Sequence, residues 1–99
     1  MSASLNHREP WTGVWRLKYY YAGGLTLGLR QNGKTVKSTE DSCCKFEGII
    51  VDGYLEGWIE IQERRYLRLK MSQDNLSFNG DFRSSIYGVY SQIWGKRIE

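Results

Sequence analysis

The chain has 99 residues, of which 40% are hydrophobic and 14% aromatic, and its formal charge at pH 7 is +3. This length fits one domain with a modest core, in which aromatic side chains supply much of the buried area. Lys and Arg alternate with Asp and Glu along the chain and form no cluster, so nucleic acid is the least favoured class of partner.

The amino-terminal segment contains no apolar run, so we expect neither a signal peptide nor a membrane span there. We predict that residues 1–10 form a flexible tail and that residues 11–99 form the folded domain. We expect a cytoplasmic protein without membrane association. Cys43 and Cys44 fit that location as two reduced thiols, because adjacent cysteines on extended backbone point to opposite sides.

The first predicted strands follow from strict alternation of apolar and polar residues. Residues 12–21 form the first strand, and the glycine-containing segment 22–24 ends it. Residues 25–31 form the second strand, and residues 34–40 return as a third. Asn32-Gly33 between them predicts a two-residue hairpin turn with positive φ angles.

The same pattern predicts the remaining strands at residues 46–51, 54–62, 66–71, 76–82 and 86–98. Asp52-Gly53 is a second hairpin turn, and the charged segment 63–65 is a further turn. Short connections leave no room for crossover helices, so neighbouring strands should pair antiparallel. We therefore predict an all-β, single-domain meander that closes into an eight-stranded up-and-down barrel, since closure removes exposed edges. An open β-sandwich is the alternative.

At Gly13-Val14-Trp15 the chain resembles the calycins, the superfamily of lipocalins, fatty-acid-binding proteins and avidins. Their first strand carries Gly-x-Trp, and a basic residue late in the last strand packs over that Trp. The resemblance implies that Trp15 and Arg97 form a pair closing one end of the barrel. Avidins carry Asn and Ser after this motif as biotin ligands, whereas residues 16–21 here contain neither, so biotin binding is not implied.

Side chains suited to catalysis are scarce. The only histidine, His7, lies in the predicted tail, and no Ser has a recognisable base partner. Glu47, Glu56 and Glu60 are expected on the outer face as solvated carboxylates. The two cysteines lack the spacing and the histidine partners of a metal site. We predict no catalytic residue, no metal and no cofactor.

The first hypothesis for function is a non-enzymatic barrel that binds a small apolar or aromatic ligand. Inward aromatic side chains would line the pocket, and tyrosine hydroxyl groups would orient the ligand. The predicted lining residues are Trp15, Tyr19, Tyr21, Phe78, Phe82 and Tyr87. The competing interpretation is that the same side chains fill the core and leave no pocket.

The second hypothesis is a protein-interaction or homo-oligomeric assembly module. Several aromatic residues fall on predicted solvent faces, and such patches usually mark interfaces. The predicted interface consists of Trp58, Tyr90, Trp94 and Ile98, most simply in a two-fold dimer. Aromatic residues among Arg16, Lys18, Arg68 and Lys70 would also suit single-stranded nucleic acid, which is the least favoured of these hypotheses.

Overall fold

The fold is seen in a computed structural model that describes residues 9–19, 22–61, 63–84 and 90–98. Within these ranges the chain is all-β and contains no helix. The strands are β1 (Gly13–Tyr19), β2 (Ala22–Asn32), β3 (Thr35–Ser38), β4 (Lys45–Val51), β5 (Tyr54–Ile61), β6 (Glu63–Met71), β7 (Ser77–Ser84) and β8 (Tyr90–Arg97).

The eight strands form one closed antiparallel barrel in chain order. Each strand pairs with the next, and β1 pairs with β8 with Trp15 opposite Arg97. The predicted up-and-down barrel is therefore confirmed over the open sandwich. The Asp52-Gly53 turn is also confirmed, because φ is 50° and 83° at its two residues. The other hairpin loop is Gly33-Lys34, one residue later than predicted, because Asn32 still pairs with Thr35.

The start of β2 differs from the sequence-based prediction. Residues 22–24 were expected to form a turn, but they belong to β2. The register between β1 and β2 shifts between Leu17 and Lys18, which marks a β-bulge, and Gly24 has a φ of 82°. Glycine tolerates this conformation without steric cost. A glycine-rich segment that resembles a turn is thus accommodated within a strand.

The start of β6 also differs from the prediction, because the charged segment 63–65 is strand and not turn. Arg65 lies opposite Ile59, and Glu63 lies opposite Ile61. Directly opposed residues share a face of the sheet, and Ile59 is fully buried. Both charged side chains therefore point into the barrel, which a prediction based on hydrophobic alternation cannot anticipate.

The interior of the barrel is packed with side chains from all eight strands. The buried residues are Trp11, Trp15, Leu17, Leu27, Leu29, Val36, Cys44, Phe46, Leu55, Ile59, Leu67, Leu69, Phe78, Phe82 and Ile93. Phe78 lies against Gly95, where an added Cβ would overlap the phenyl ring. This close approach shows why a glycine interrupts the apolar inward positions of β8.

Cys43 and Cys44 form a disulfide between adjacent residues, so the expectation of two reduced thiols is wrong. That expectation assumed extended backbone at both residues, whereas they lie in a bend before β4 begins at Lys45. The Cys43 N–H donates to the Thr26 carbonyl at 2.7 Å, which holds the bend against β2.

In the part of the chain that the structure describes, no helix is long and apolar enough to cross a membrane. The cytoplasmic location stays a prediction. The proposed amino-terminal tail lies almost entirely outside the described residues, which begin at Glu9.

Candidate functional site

One end of the barrel is built around Trp15, which is fully buried in β1. The guanidinium carbon of Arg97 lies 4.2 Å from the Trp15 ring centroid, within the range of a cation–π contact. Arg97 also donates from Nη1 to the Thr12 carbonyl at 2.8 Å and from Nε to the Asn75 carbonyl at 2.9 Å. Its fork of N–H groups therefore ties the segment before β1 to the turn between β6 and β7.

Trp11, to which the sequence pattern gives no role, completes this closed end. Its ring is buried, with its centroid 5.4 Å from that of Phe78 and 6.2 Å from that of Trp15. The Trp15 Nε1–H donates to the Trp11 carbonyl at 3.1 Å, and the Trp11 N–H donates to Gln31 Oε1 at 3.0 Å. Trp11 precedes the alternating stretch, so periodicity gives no signal for it.

The opposite end contains an inward-facing ion pair between Glu63 and Arg65. Their side chains are only 15% and 17% exposed, and Arg65 Nη2 lies 3.8 Å from Glu63 Oε2. Arg65 Nε also donates to the Ile61 carbonyl at 3.2 Å. Taking charges out of water is costly unless they are paired and hydrogen-bonded, and these contacts offset part of that cost.

Phe82 lies beside this ion pair and contacts a second aromatic residue, Tyr19. The Arg65 guanidinium carbon is 5.4 Å from the Phe82 ring centroid, and Phe82 meets Tyr19 edge to face at 5.4 Å. We call Tyr19, Glu63, Arg65 and Phe82 the Arg65 end of the barrel. A few convergent polar groups among apolar and aromatic side chains are typical of small-molecule sites.

The structure divides the predicted ligand-lining residues between the two ends. Trp15 and Phe78 lie in contact at the closed end, with ring centroids 5.0 Å apart. Tyr19 and Phe82 lie at the Arg65 end. Tyr21 and Tyr87 lie outside the described residues. The four described residues therefore do not surround one pocket, because packed core side chains separate the closed end from the Arg65 end.

The predicted interface residues are also divided. Trp94 and Ile98 are each 44% exposed. Trp58 is half-buried, with the Arg64 guanidinium carbon 4.3 Å from its ring centroid. Strands β6 and β7 separate Trp58 on β5 from Trp94 on β8. The side chain of Tyr90 lies outside what the structure describes.

Metal-ligating residues do not converge in the described part of the chain: no three His, Cys, Asp or Glu side chains there could hold a metal ion. Comparison with known proteins finds no match to any family model, curated protein or solved structure. The class that the structure defines is a closed eight-stranded antiparallel barrel.

Proposed function

We propose that this protein is a small, non-enzymatic binding barrel that takes an apolar or aromatic ligand at its Arg65 end. The observation that carries the proposal is the inward orientation of Glu63 and Arg65, two charged residues with little exposure. A purely structural barrel end would be at least as stable with apolar residues there. Two charged groups beside Phe82 at this end are better explained by recognition of a ligand.

The packing of the interior limits the size of the ligand. Leu17, Ile59 and Ile93 are almost completely buried in the middle of the barrel, and protein cores of this kind leave few voids. The ligand therefore occupies only the last layer of side chains. Its apolar or aromatic part packs on Phe82 and Tyr19, and a polar or anionic group faces the Arg65 guanidinium.

The resemblance to calycins also supports a barrel with one closed end and one ligand-binding end. In that superfamily the Gly-x-Trp strand and the late basic residue belong to the closed end. Here the Trp15 ring lies under Arg97, and Trp11 and Phe78 pack beside it. Because these side chains fill the closed end, the ligand binds at the opposite end.

The test uses 1-anilinonaphthalene-8-sulfonate, an aromatic anion whose fluorescence rises in apolar surroundings. We expect saturable binding of one dye per protein. Arg65→Gln should weaken binding about 10-fold or more, because a hydrogen bond to a charged group is worth about 1.5–3 kcal/mol. Phe82→Leu should weaken it as well through lost ring contact.

Arg64→Gln is the matched control, because Arg64 is the adjacent residue on β6 and lies on the outer face against Trp58. It removes the same charge and should leave dye affinity unchanged. If both substitutions weaken binding equally, or if neither does, the ligand does not lie at the Arg65 end. Thermal unfolding of each variant checks that the barrel is intact.

Self-association is a second candidate function, favoured by one outer patch. Ile49 and Tyr66 are 54% and 52% exposed, and both border a cleft that also contains Trp58. Charges of both signs flank this patch, including the ion pair between Arg68 and Glu56 at 3.1 Å. Mixed charge suits a two-fold interface, in which the same patch must complement itself.

Sedimentation tests this candidate at micromolar concentration. We expect a dimer that Tyr66→Glu dissociates and that Trp94→Ala leaves intact, because Trp94 on β8 lies two strands away from Tyr66 on β6. A monomer for the unmodified protein would end this candidate without affecting the ligand proposal.

A further inference from the structure

A groove crosses the outer face of the barrel from β5 to β1. The strand register places one outward residue from each of five strands in a row, each directly opposite the next: Tyr54, Lys70, Asn79, Trp94 and Lys18. Neighbouring strands are about 4.8 Å apart, so the row follows about 19 Å of the curved barrel wall. Two clefts meet at Trp94, one reaching Tyr54 and the other reaching Lys18. We call this row, with Arg16 and Lys96, the Trp94 groove.

The Trp94 groove carries an excess of positive charge. Arg16 lies directly opposite Lys96 across the β1–β8 pair, and like charges in that position destabilise a sheet. Among the described residues, no carboxylate lies within ion-pair distance of Arg16, Lys18, Lys70 or Lys96. These cations are dispersed in the sequence, and strand pairing alone brings them together. A bound anion would relieve their repulsion.

The acidic groups near the groove do not balance these cations. Asp74 and Asp81 border the two clefts. Asp74 Oδ1 is already engaged by the Ser72 hydroxyl at 2.6 Å and the Leu76 N–H at 3.0 Å. Two carboxylates therefore face four cations that lack ion-pair partners.

Trp94 supplies a flat apolar surface among these four cations. Its side chain is 44% exposed, with Lys18 beside it on β1 and Lys96 two residues further along β8. Tyr54 provides a second ring at the far end of the row, under Lys70 and Arg68. Aromatic rings that stack on bases, among cations that hold phosphates, are the common features of surfaces for single-stranded nucleic acid.

We propose that the Trp94 groove binds single-stranded nucleic acid. Its phosphates contact Arg16, Lys18, Lys70 and Lys96, and one base stacks on Trp94. A second copy of this chain is a poor occupant, because a two-fold contact would bring these cations against their own copies. The groove lies on the outer wall, so this activity is independent of ligand binding at the Arg65 end.

The test is fluorescence anisotropy with a labelled oligothymidylate of about 15 nucleotides, long enough to cover a typical single-strand site. We expect binding that weakens with salt, with a slope of log K against log salt of about −3 for four phosphate contacts. Trp94→Ala should weaken binding roughly 5- to 150-fold, the range for loss of one stacked base. Trp94→Phe keeps an aromatic ring and should restore most of the affinity.

A charge-matched pair of variants provides the control. Lys18→Glu should weaken binding and reduce the salt slope, whereas Lys34→Glu in the β2–β3 turn makes the same charge change away from the groove and should do much less. Equal effects of the two substitutions would indicate general charge attraction and overturn the proposal. So would the absence of binding at about 50 mM salt, where phosphate contacts are strong. Trp94-dependent binding to phosphatidylserine vesicles without oligonucleotide binding would assign the groove to a lipid surface and also overturn it.

Discussion

At the scale of single residues, Trp15 on β1 and Arg97 on β8 link the first and last strands of the barrel. The Trp15 ring is fully buried between Arg97 and the rings of Trp11 and Phe78. We expect Trp15→Ala to lower the free energy of unfolding by about 3–5 kcal/mol, because it leaves a large cavity. Urea denaturation measures the change, and a loss below about 1 kcal/mol would contradict this packing.

Gly95 is a second residue on which the closed end depends. An added Cβ at this position would overlap the Phe78 ring, so we expect Gly95→Ala to cost about 1–3 kcal/mol through overpacking. Phe78→Leu should make the same Gly95→Ala substitution less costly, because it removes the colliding ring atoms. Additive effects in a double-mutant cycle would show that the two residues do not compete for space.

Residue-scale prediction from sequence succeeded where hydrophobic alternation and burial coincide. It assigned Trp15, Phe78 and Phe82 to the interior, and all three are buried. It failed for Glu63 and Arg65, because an inward ion pair depends on each partner neutralising the other. No pattern of single residues signals that pairing, and these two side chains define the candidate ligand site.

At the scale of secondary-structure elements, the turn between β6 and β7 is organised by Asp74. The Ser72 hydroxyl and then the Leu76 N–H donate to its carboxylate, which lowers the pKa of Asp74 below its ordinary value of 3.8. A depressed pKa in the folded state stabilises the fold above the unfolded pKa. This contribution is lost as the pH falls through the folded value.

We therefore expect an NMR titration of the Asp74 carboxyl carbon to have its midpoint below that of an unstructured aspartate. Ser72→Ala should move the midpoint upward, because it removes the hydrogen bond that lowers the pKa of Asp74 most. Equal Asp74 midpoints in both proteins would contradict the role assigned to Ser72.

The strands themselves were largely predictable, since their inward positions alternate and their hairpin turns contain glycine. The two strand starts that were mispredicted, at Ala22 and Glu63, both lie where tertiary pairing overrides local composition. Glycines suggested a turn at the first, and charges suggested one at the second. The bulge at Leu17–Lys18 allows the glycine-rich segment 22–24 to be part of β2. The ion pair between Glu63 and Arg65 allows the charged segment 63–65 to be part of β6.

At the scale of the whole molecule, closure follows from strand number and short connections, and it could be predicted. The gathering of Arg16, Lys18 and Lys96 around Trp94 could not, because it requires the register between β1 and β8. Charge patterning along the chain indicated a mixed surface, whereas the folded barrel separates a basic groove from the mixed-charge patch around Tyr66. Pairing register, and not composition, thus determines which partners the outer face can bind.

We propose that the two ends of the barrel differ: Trp15 closes one end, and Arg65 contributes to ligand binding at the other. The most direct test is a titration of isotope-labelled protein with 1-anilinonaphthalene-8-sulfonate, followed by amide and indole NMR signals. We expect shifts at Tyr19, Arg65 and Phe82, with the Trp15 indole signal unchanged. Shifts confined to Trp94 and Lys18, or centred on Trp15, would contradict it.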